Sequence, residues 1–566
     1  YAPPRAMGEI ELCSCCLTPY LTALACVALA ALWLLRRAPA KVDAATAEYI
    51  ERAADVPQEC QAIIAALKEH GDDSDEEKKL DEAAAVLDSA SRMRAVLRSG
   101  SLPLRALADD PGALLRASPH MGHSRDGALH TRFTVSYNLY AGSVVGLGTD
   151  EQREALYETQ AAGELGCFAF TERGTGVLSG AAVETTATFD GTTGGFVIQT
   201  PADSAQKNWI SQGCVAERAV ILADLIDGEG VRRGPHLFWA RIAAPAKGTM
   251  FKSGEGVEPV AGVTVGSVPR KTALRSLDNA TLRFDGLRVE REALLARFAT
   301  VDECGAYKSM LPPGCKRMED VLLSRLLTGR VVLSEYTLGV AHNLLRRSWA
   351  YCGERELWRG SKPRGKKMRE MSNVERTFAD YGRALALHES FAASVREDVV
   401  KCIETEAFTQ CTFEGCCVVK FLGTSYAVDT ISVLRKLLGS QALFEESWLG
   451  ASSFVANATC AAEGDNTIMQ LKVVSDIVKG RAPLVPAKVS AAVLATPAGR
   501  RAALAYAYGL LRATLKGKAA IKDGQLLTDI AYARAHLMVL AAWRGPRGWI
   551  DSYERVCVRF PTPICF

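Results

Sequence analysis

A short acidic turn, Glu463-Gly464-Asp465-Asn466, contains the residues of this chain best suited to acid–base chemistry. Apolar residues follow it at spacings of three and four, which predicts a helix with one apolar face built from Ile468, Leu471, Val474 and Val478. Asp465 or Asn466 suits the N-cap, because a short polar side chain can accept a hydrogen bond from the first helical turn. One such residue is enough. Glu463 is therefore either a solvated loop carboxylate, as most carboxylates are, or a residue with a chemical role.

The composition excludes several other kinds of site. A net charge of +3 and the absence of a dense basic tract argue against a nucleic-acid partner. The 17 cysteines are scattered, and the pair Cys13 and Cys16 has no second pair or neighbouring histidine, so no zinc site is predicted. The cysteines suit small apolar residues in a reducing compartment. His120, His123 and His130 form a loose group without a supporting cysteine or carboxylate pattern, and we predict no metal there.

Residues 12–35 contain no charged side chain, and the part from Leu17 to Leu35 is nearly all apolar. This reaches the roughly 20 residues that a membrane helix needs. Trp33 and the pair Arg36-Arg37 suit an interfacial anchor, so we predict that residues 1–40 form a membrane anchor. A targeting segment or a buried core helix are the alternatives. The end Pro563–Phe566 is not a peroxisomal Ser-Lys-Leu signal, and together with the apolar N-terminal segment this argues against a soluble peroxisomal matrix enzyme. We expect an organelle membrane-associated protein, with peroxisome, mitochondrion and plastid all open.

The chain of 566 residues is too long for one core, and its patterns change twice along its length. Residues 41–164 have helical spacing, residues 165–290 have strand patterns, residues 291–480 are helical again, and residues 481–566 form a helical extension. Val183–Phe189 alternates, a Gly-rich turn follows, and Phe196–Thr200 completes a predicted hairpin. Further strands are predicted at 220–226, 236–242 and 281–289, and helices at 321–344, 374–404, 425–438, 467–479 and 500–515.

Five strings in this order resemble those of the acyl-CoA oxidase and acyl-CoA dehydrogenase superfamily, with the oxidases closest. They are Gly166–Gly176, Glu184–Phe189, Asp278–Glu292, Leu327–Arg330 and Leu338–Ala341. The resemblance covers roughly residues 120 to 480. It implies an α+β fold in which an N-terminal helical domain, a middle β-barrel-like domain and a C-terminal helical bundle follow one another.

The resemblance also implies the chemistry, which is desaturation of the α,β bond of an acyl-CoA thioester, a fatty acid β-oxidation type of step. That reaction needs a base for the α proton and a hydride acceptor for the β carbon. No side chain accepts hydride, so a flavin, here FAD, must do so. The base should be a carboxylate in an apolar pocket, where desolvation raises its pKa. In the family the Glu of a Glu-Gly-Asp/Glu-Asn-Thr string is the base, and Glu463 occupies that place.

The family's flavin contacts match this chain at several positions. Thr171 and Gly176 lie in the first string, and Lys207–Gly213 resembles a loop in which Trp209 covers the flavin and Ser211 donates to it. Trp209 could instead be a core aromatic at a strand end. Tyr351–Trp358 resembles the string whose arginine grips the flavin pyrophosphate across a dimer interface, a role that falls to Arg355. The alternative for Arg355 is a surface helix arginine.

The chain also departs from the family pattern. Gly439–Leu443 replaces a Gly-Gly-x-Gly-Tyr loop that holds the adenine end of the flavin, and only the first glycine, Gly439, is kept. About a hundred residues follow Glu463, fewer than in an oxidase and more than in a dehydrogenase. We therefore expect an FAD-dependent acyl-CoA oxidase or dehydrogenase, as a homodimer or as a subunit of a larger membrane complex. The alternative is a catalytically retired subunit with a structural role in such a complex.

Overall fold

The computed structural model describes residues 41–52, 82–122, 127–175, 182–244, 258–312, 315–444, 447–486, 488–516 and 524–557. The predicted anchor at residues 12–35, Cys13, Cys16, His123 and Gly176 lie outside the described residues. The described part confirms the predicted order of a helical part, a central sheet and a second helical part.

The first helical part runs from residue 44 to residue 162. Its helices are α1 Ala44–Glu51, α2 Glu82–Ser99, α3 Ala106–Asp109, α4 Gly112–Met121, α5 Gly127–Phe133, α6 Gly142–Leu147 and α7 Asp150–Ala162, and a π-helical segment Thr134–Ala141 joins α5 to α6. Helix α7 shows why its ends fall where they do. Thr149 and Gln152 form a capping box at its start, and Gly163 ends it in the left-handed conformation, with φ of 67°.

The central sheet contains eight strands and curls between the two helical parts. The strands of the described chain are β1 Gly166–Ala169, β2 Thr186–Asp190, β3 Gly195–Gln199, β4 Lys207–Ser211, β5 Arg218–Ile226, β6 Arg232–Arg241, β7 Ala243–Ala244, β8 Glu258–Pro259, β9 Val263–Ser267, β10 Asn279–Val289, β11 Ala299–Val301 and β12 Tyr307–Ser309. The main sheet has the order β1-β5-β2-β3-β10-β4, with β6 beside β5 and β9 beside β10. The predicted hairpin is β2 and β3, in antiparallel register from Thr186 opposite Gln199 to Asp190 opposite Gly195.

The second helical part is built around two long antiparallel helices. Its helices are α8 Met318–Glu354, α9 Ser372–Glu404, α10 Gln410–Val418, α11 Thr424–Leu438, α12 Gly450–Ala461, α13 Asn466–Val478, α14 Ala491–Leu494, α15 Pro497–Lys516, α16 Gly524–Ala542 and α17 Trp549–Cys557. A small hairpin of β13 Glu356–Arg359 and β14 Lys362–Lys367 links α8 to α9, and a second π-helical segment, Val419–Gly423, joins α10 to α11. All five helices predicted in this part are present.

The predicted apolar face of α13 is partly wrong. The buried apolar residues are Met469, Val473, Val474 and Ile477. Val478, which the spacing placed on the buried face, is 54% exposed. The helix packs on α10, α16 and the segment Val419–Gly423, and these tertiary contacts bury a stripe displaced from the one that spacing alone selects.

Two other sequence expectations concern membranes and metals. Among the described residues, the stretch Gln410–Leu443 is long and apolar enough to cross a membrane, but 72% of its most apolar window is buried against the rest of the protein, as in a core helix. No group of three potential metal ligands occurs in the part of the chain that the structure describes. His130 instead stacks on Tyr336 with ring centroids 3.3 Å apart, and burial lowers its pKa to about 3.

Candidate functional site

Glu463 lies in the turn between α12 and α13, with its backbone in the left-handed region. Its φ is 55° and that of Gly464 is 96°. The side chain of Asp465 accepts a hydrogen bond of 2.8 Å from the backbone N–H of Thr467 and is the N-cap of α13. Glu463 is therefore not needed for capping, as the sequence indicated. A left-handed conformation is costly for a residue with a side chain and persists only when its surroundings hold it.

The side chain of Lys420 bonds to both ends of this turn. Its ammonium Nζ donates to the backbone oxygen of Cys460 at 2.6 Å, to that of Gly464 at 2.7 Å and to Oδ1 of Asn466 at 2.8 Å. Lys420 belongs to the π-helical segment Val419–Gly423 and is fully buried. Burial lowers its pKa to about 8. Three acceptors satisfy the three N–H groups of the ammonium, so the buried charge is compensated at the two ends of the turn.

The carboxyl group of Glu463 lies against helix α8 at Gly329. A Cβ atom on Gly329 would be 2.6 Å from Oε2 of Glu463 and 2.7 Å from its Cδ, and 2.9 Å from Nδ2 of Asn138. The carboxyl group and the Asn138 amide therefore lie on the same side of α8, where only a glycine leaves room for both. Oδ1 of Asn138 accepts a hydrogen bond of 2.7 Å from the Thr328 hydroxyl, which fixes the orientation of the amide.

These neighbours correct one expectation. We expected apolar surroundings for the base, whereas Glu463 is half-buried, with its carboxyl group near the Asn138 amide and the Lys420 ammonium group bonded to the backbone of its turn. Polar groups fixed by the fold can hold a carboxylate in one position without extracting it fully from water.

The predicted flavin contacts on the sheet lie close together. Two hydrogen bonds join Thr171 to Asn208. The Thr171 hydroxyl donates to the Asn208 backbone oxygen at 2.6 Å, and the Asn208 backbone N–H donates to the Thr171 backbone oxygen at 3.0 Å. The next residue, Trp209, has φ of 61° and is 60% exposed. The alternative of a core aromatic is therefore wrong for Trp209. An indole held outward by a left-handed backbone offers an open aromatic face beside Thr171.

The orientation of Ser211 follows from a chain of hydrogen bonds. The ammonium group of Lys271 donates to Oδ1 of Asn279, which fixes the orientation of that amide. The Asn279 NH₂ group then donates to the Ser211 hydroxyl oxygen at 3.0 Å. Since this hydroxyl accepts from the protein, its own proton is available to a bound molecule.

A buried ion pair supports the strand that presents these residues. Nζ of Lys207 lies 2.9 Å from Oε1 of Glu172, and both side chains are fully buried. Glu172 also accepts hydrogen bonds from the backbone N–H groups of Glu184 and Thr185. Although burial alone would raise it, Lys207 and these donors hold the pKa of Glu172 below its usual value. Burial lowers the pKa of Lys207 to about 8.

The π-helical segment Thr134–Ala141 lies between the two groups of residues. Its Ser136 accepts a hydrogen bond of 3.1 Å from Gln212, the neighbour of Ser211 in sequence. Its Asn138 lies beside Gly329 and the Glu463 carboxyl group. One short segment therefore contacts the residue that follows β4 and also lies beside the Glu463 carboxyl group. Irregular helical segments of this kind are frequent at functional sites.

Arg355 and Gly439 lie apart from these groups, at the ends of helices. Arg355 follows the last residue of α8 and is exposed. Gly439 ends α11 with φ of 64°, is exposed, and has no atom within 4 Å of the place where a Cβ would lie. Their action on a cofactor across a subunit interface stays a prediction, as does any role of Gly176, which lies outside the described residues.

Sequence reasoning missed Lys420, Gly329 and Asn138. A signal for Lys420 was available, since it is the single charged residue in the apolar run Gly415–Gly423, where a charge must find partners. Gly329 stands in the string Leu327–Arg330, which was recognised without a role for the glycine. Nothing in the sequence marked Asn138.

A separate cavity of about 430 Å³ lies between α1, α4, α8, α9 and the start of α17. Within it, the His342 ring nitrogen Nδ1 lies 2.8 Å from Oε1 of Glu389, and the Tyr49 hydroxyl donates to the other carboxyl oxygen at 2.9 Å. Although burial alone would lower it, Glu389 holds the pKa of His342 above its usual value. Glu335 also lines this cavity, and burial raises its pKa to about 7. Glu463 is not among the residues that line it.

Comparison with known proteins tests the resemblance. No protein-family model matches the chain. It is 29% identical over 402 residues to the peroxisomal acyl-coenzyme A oxidase 2 of Arabidopsis thaliana, which covers 68% of this chain and 55% of the relative. It is 27% identical over 415 residues to the peroxisomal acyl-coenzyme A oxidase 2 of Mus musculus, covering 67% of this chain and 57% of the relative. The chain thus spans about half the length of the curated relatives it matches.

Solved structures give the same result for the fold. Acyl-CoA oxidase 1 of Arabidopsis thaliana superposes with a TM-score of 0.67 at 21% identity, over 92% of this chain and 82% of that one. Acyl-CoA oxidase1 of Yarrowia lipolytica superposes with a TM-score of 0.67 at 19% identity, over 88% of this chain and 77% of that one. A glutaryl-CoA dehydrogenase of Mycobacterium smegmatis superposes with a TM-score of 0.55 at 18% identity, over 75% of this chain and 96% of that one. The resemblance is therefore confirmed: the chain is related to acyl-CoA oxidases and has the fold of the acyl-CoA oxidase and acyl-CoA dehydrogenase superfamily.

Proposed function

We propose that the chain is an FAD-dependent acyl-CoA oxidase-like enzyme in which Glu463 removes the α proton of an acyl-CoA thioester. The placement of Glu463 carries the proposal. Glu463 is not used for capping, adopts a left-handed conformation, and has its carboxyl group in a space that Gly329 leaves open. A carboxylate that only needed solvent would require neither the glycine nor the buried Lys420 under its turn.

In this mechanism the protein holds the Glu463 carboxyl group in position, and that group takes up the proton. The Glu463 carboxylate accepts the α proton and becomes a neutral acid. Lys420 fixes the turn through the Cys460 and Gly464 backbone oxygens, so that the carboxyl group does not have to be ordered during the reaction. The Asn138 amide lies beside the carboxyl group and restricts the directions in which it can rotate.

The residues on the sheet fit FAD. The exposed Trp209 offers a face to a flat ring, Ser211 has a hydroxyl proton to donate, and the hydroxyl oxygen of Thr171, whose proton goes to Asn208, can accept. When bound, FAD supplies the hydride acceptor for the β carbon. Acyl-CoA oxidase-2 of Caenorhabditis elegans, which superposes with a TM-score of 0.65, is bound with FAD and an ascaroside-CoA, which supports both the cofactor and a thioester substrate.

Assembly and location complete the proposal. Arg355 and Gly439 are exposed, as residues that reach a cofactor in a second subunit must be, so we expect a homodimer or a subunit of a larger membrane complex. Peroxisomal relatives support an organelle location, and residues 12–35 are the proposed membrane anchor.

An absorption spectrum of the purified chain tests the proposal. A flavin spectrum that bleaches when a long-chain acyl-CoA is added without oxygen is the expected result, and recovery on admitting oxygen distinguishes an oxidase from a dehydrogenase. Glu463→Gln should keep the flavin spectrum and lose the bleaching, and retained bleaching would refute the role of Glu463. A protein that stays colourless after incubation with FAD would instead indicate the retired structural subunit.

A further inference from the structure

Helix α15 has an exposed apolar face on a strongly basic stretch of the chain. Leu504 is 64% exposed, Tyr508 42% and Leu511 57%. Their spacing of four and three places them on one side of the helix. The opposite side packs on α16, since Ala498, Ala502 and Tyr506 are buried and a Cβ on Gly509 would lie 2.6 Å from Ile530. The exposed side is therefore a fixed face of a folded helix.

Other exposed apolar residues near α15 do not belong to this face. Leu484 and Val485 are exposed in the loop before α14. The Leu484 backbone oxygen accepts hydrogen bonds from the Tyr506 hydroxyl at 2.9 Å and from Arg534 at 2.8 Å, so this loop is held at the side of α15 that packs on α16. We call Leu504, Tyr508 and Leu511 the α15 surface.

The stretch of sequence that contains the α15 surface is basic. Between Asp476 and Asp523 the sequence contains nine lysines and arginines and no aspartate or glutamate. Arg500 and Arg512 lie on either side of the Leu504–Leu511 face; Arg500 donates to the Ala495 backbone oxygen, and Arg512 lies over the Tyr508 ring at 5.8 Å. Arg501 is used differently, in an ion pair of 2.8 Å with the buried Glu554.

We propose that the α15 surface binds the surface of an anionic lipid bilayer. Apolar side chains flanked by arginines are the two features that hold a helix in the plane of a membrane interface: the apolar groups enter the acyl boundary and the cations meet the lipid phosphates. A second copy of the chain is a poorer occupant, because a symmetric contact would bring Arg500 and Arg512 towards like charges with no acidic residue of this stretch to compensate them.

Vesicle binding of the full chain tests the proposal. Binding to vesicles of phosphatidylcholine with phosphatidylserine should exceed binding to phosphatidylcholine alone and should weaken with added salt. The double variant Leu504→Gln/Leu511→Gln should bind at least about tenfold more weakly. Arg500→Gln/Arg512→Gln should lose about 30-fold on the anionic vesicles and almost nothing on the neutral ones. Val231→Gln and Arg364→Gln, exposed on hairpins of the sheet and of β13–β14, are the matched controls.

All variants keep residues 12–35, so differences between them report on the α15 surface alone. Unchanged vesicle binding in both double variants would overturn the proposal. Hydrogen exchange provides a local readout: amides of residues 500–512 should exchange more slowly when vesicles are present. Slowing that appears without vesicles, as the protein concentration rises, would identify a second copy as the occupant and would also overturn it.

Discussion

Replacing Gly329 by alanine should separate the folding of this protein from its chemistry. The new Cβ would lie 2.6 Å from Oε2 of Glu463 and 2.7 Å from its Cδ, whereas ordinary contacts begin at 3.4 Å. The carboxyl group must therefore move by about 0.8 Å, the difference between these distances. It can move, because it is the end of a flexible side chain. A displacement of about 1 Å at a reacting group can cost about 100-fold in rate. We therefore expect the rate of flavin reduction in Gly329→Ala to fall by up to about 100-fold.

The stability of the same variant should change little. Alanine in a helix interior is favoured over glycine by about 1 kcal/mol, which offsets the cost of moving the Glu463 side chain. Urea unfolding should therefore give a free energy of unfolding within about 1 kcal/mol of the wild type. The rate is measured by anaerobic stopped-flow reduction of the bound flavin with an acyl-CoA, and the flavin content is measured from the absorption spectrum.

A matched control is Gly423→Ala, since a Cβ there meets no atom closer than 3.6 Å. This variant should reduce flavin at a rate close to that of the wild type. A wild-type rate in Gly329→Ala would refute the placement of the base against α8. Loss of flavin or of the fold in that variant would show that Gly329 serves packing rather than the position of the carboxyl group.

Four further outcomes follow from the structure. Lys420→Met should lower the rate of flavin reduction while flavin stays bound, because the Glu463 turn loses its anchor; a rate equal to that of the wild type would argue against this role. Lys207→Met should lower the free energy of unfolding by about 3–5 kcal/mol in urea titrations, since Glu172 would remain buried without its partner. Trp209→Ala should weaken FAD binding, measured by fluorescence titration, yet change the free energy of unfolding by less than about 1 kcal/mol, because the side chain is 60% exposed. Burial raises the pKa of Glu335 from 4.5 to about 7, so its contribution to stability is present below pH 4.5 and is lost as the pH rises through 7; Glu335→Gln should not show this loss in urea titrations at about pH 5 and pH 8.

The local features of the fold could be predicted from the sequence. The hairpin of β2 and β3 is set by alternation and a turn, and Asp465 caps α13 because a short acceptor stands at the right offset. Both depend on residues within a few positions of one another. The surroundings of Glu463 depend on contacts between distant residues, since Lys420, Gly329 and Asn138 reach it from three different helical segments.

The buried face of α13 was misjudged for a related reason. Spacing identifies which residues share a side of a helix but not the direction in which tertiary contacts rotate it, and Val478 consequently lies in solvent. The proposal that Glu463 is the base, by contrast, starts from a local argument, since capping of α13 does not require this residue.

The π-helical segment Val419–Gly423 has a consequence for how the chain can change. A π-helical turn holds one more residue than an α-helical turn, and each residue turns a helix by about 100°. Deleting one residue of this segment would convert it to an α-helical turn, and the direction of the Lys420 side chain, which lies inside the segment, would change relative to α10 and α11. Lys420 could then no longer face the Glu463 turn while α11 kept its present contacts. Substitutions are therefore tolerated more readily in this stretch than a change of length, and relatives that keep the lysine and the glutamate are expected to keep the number of residues between them.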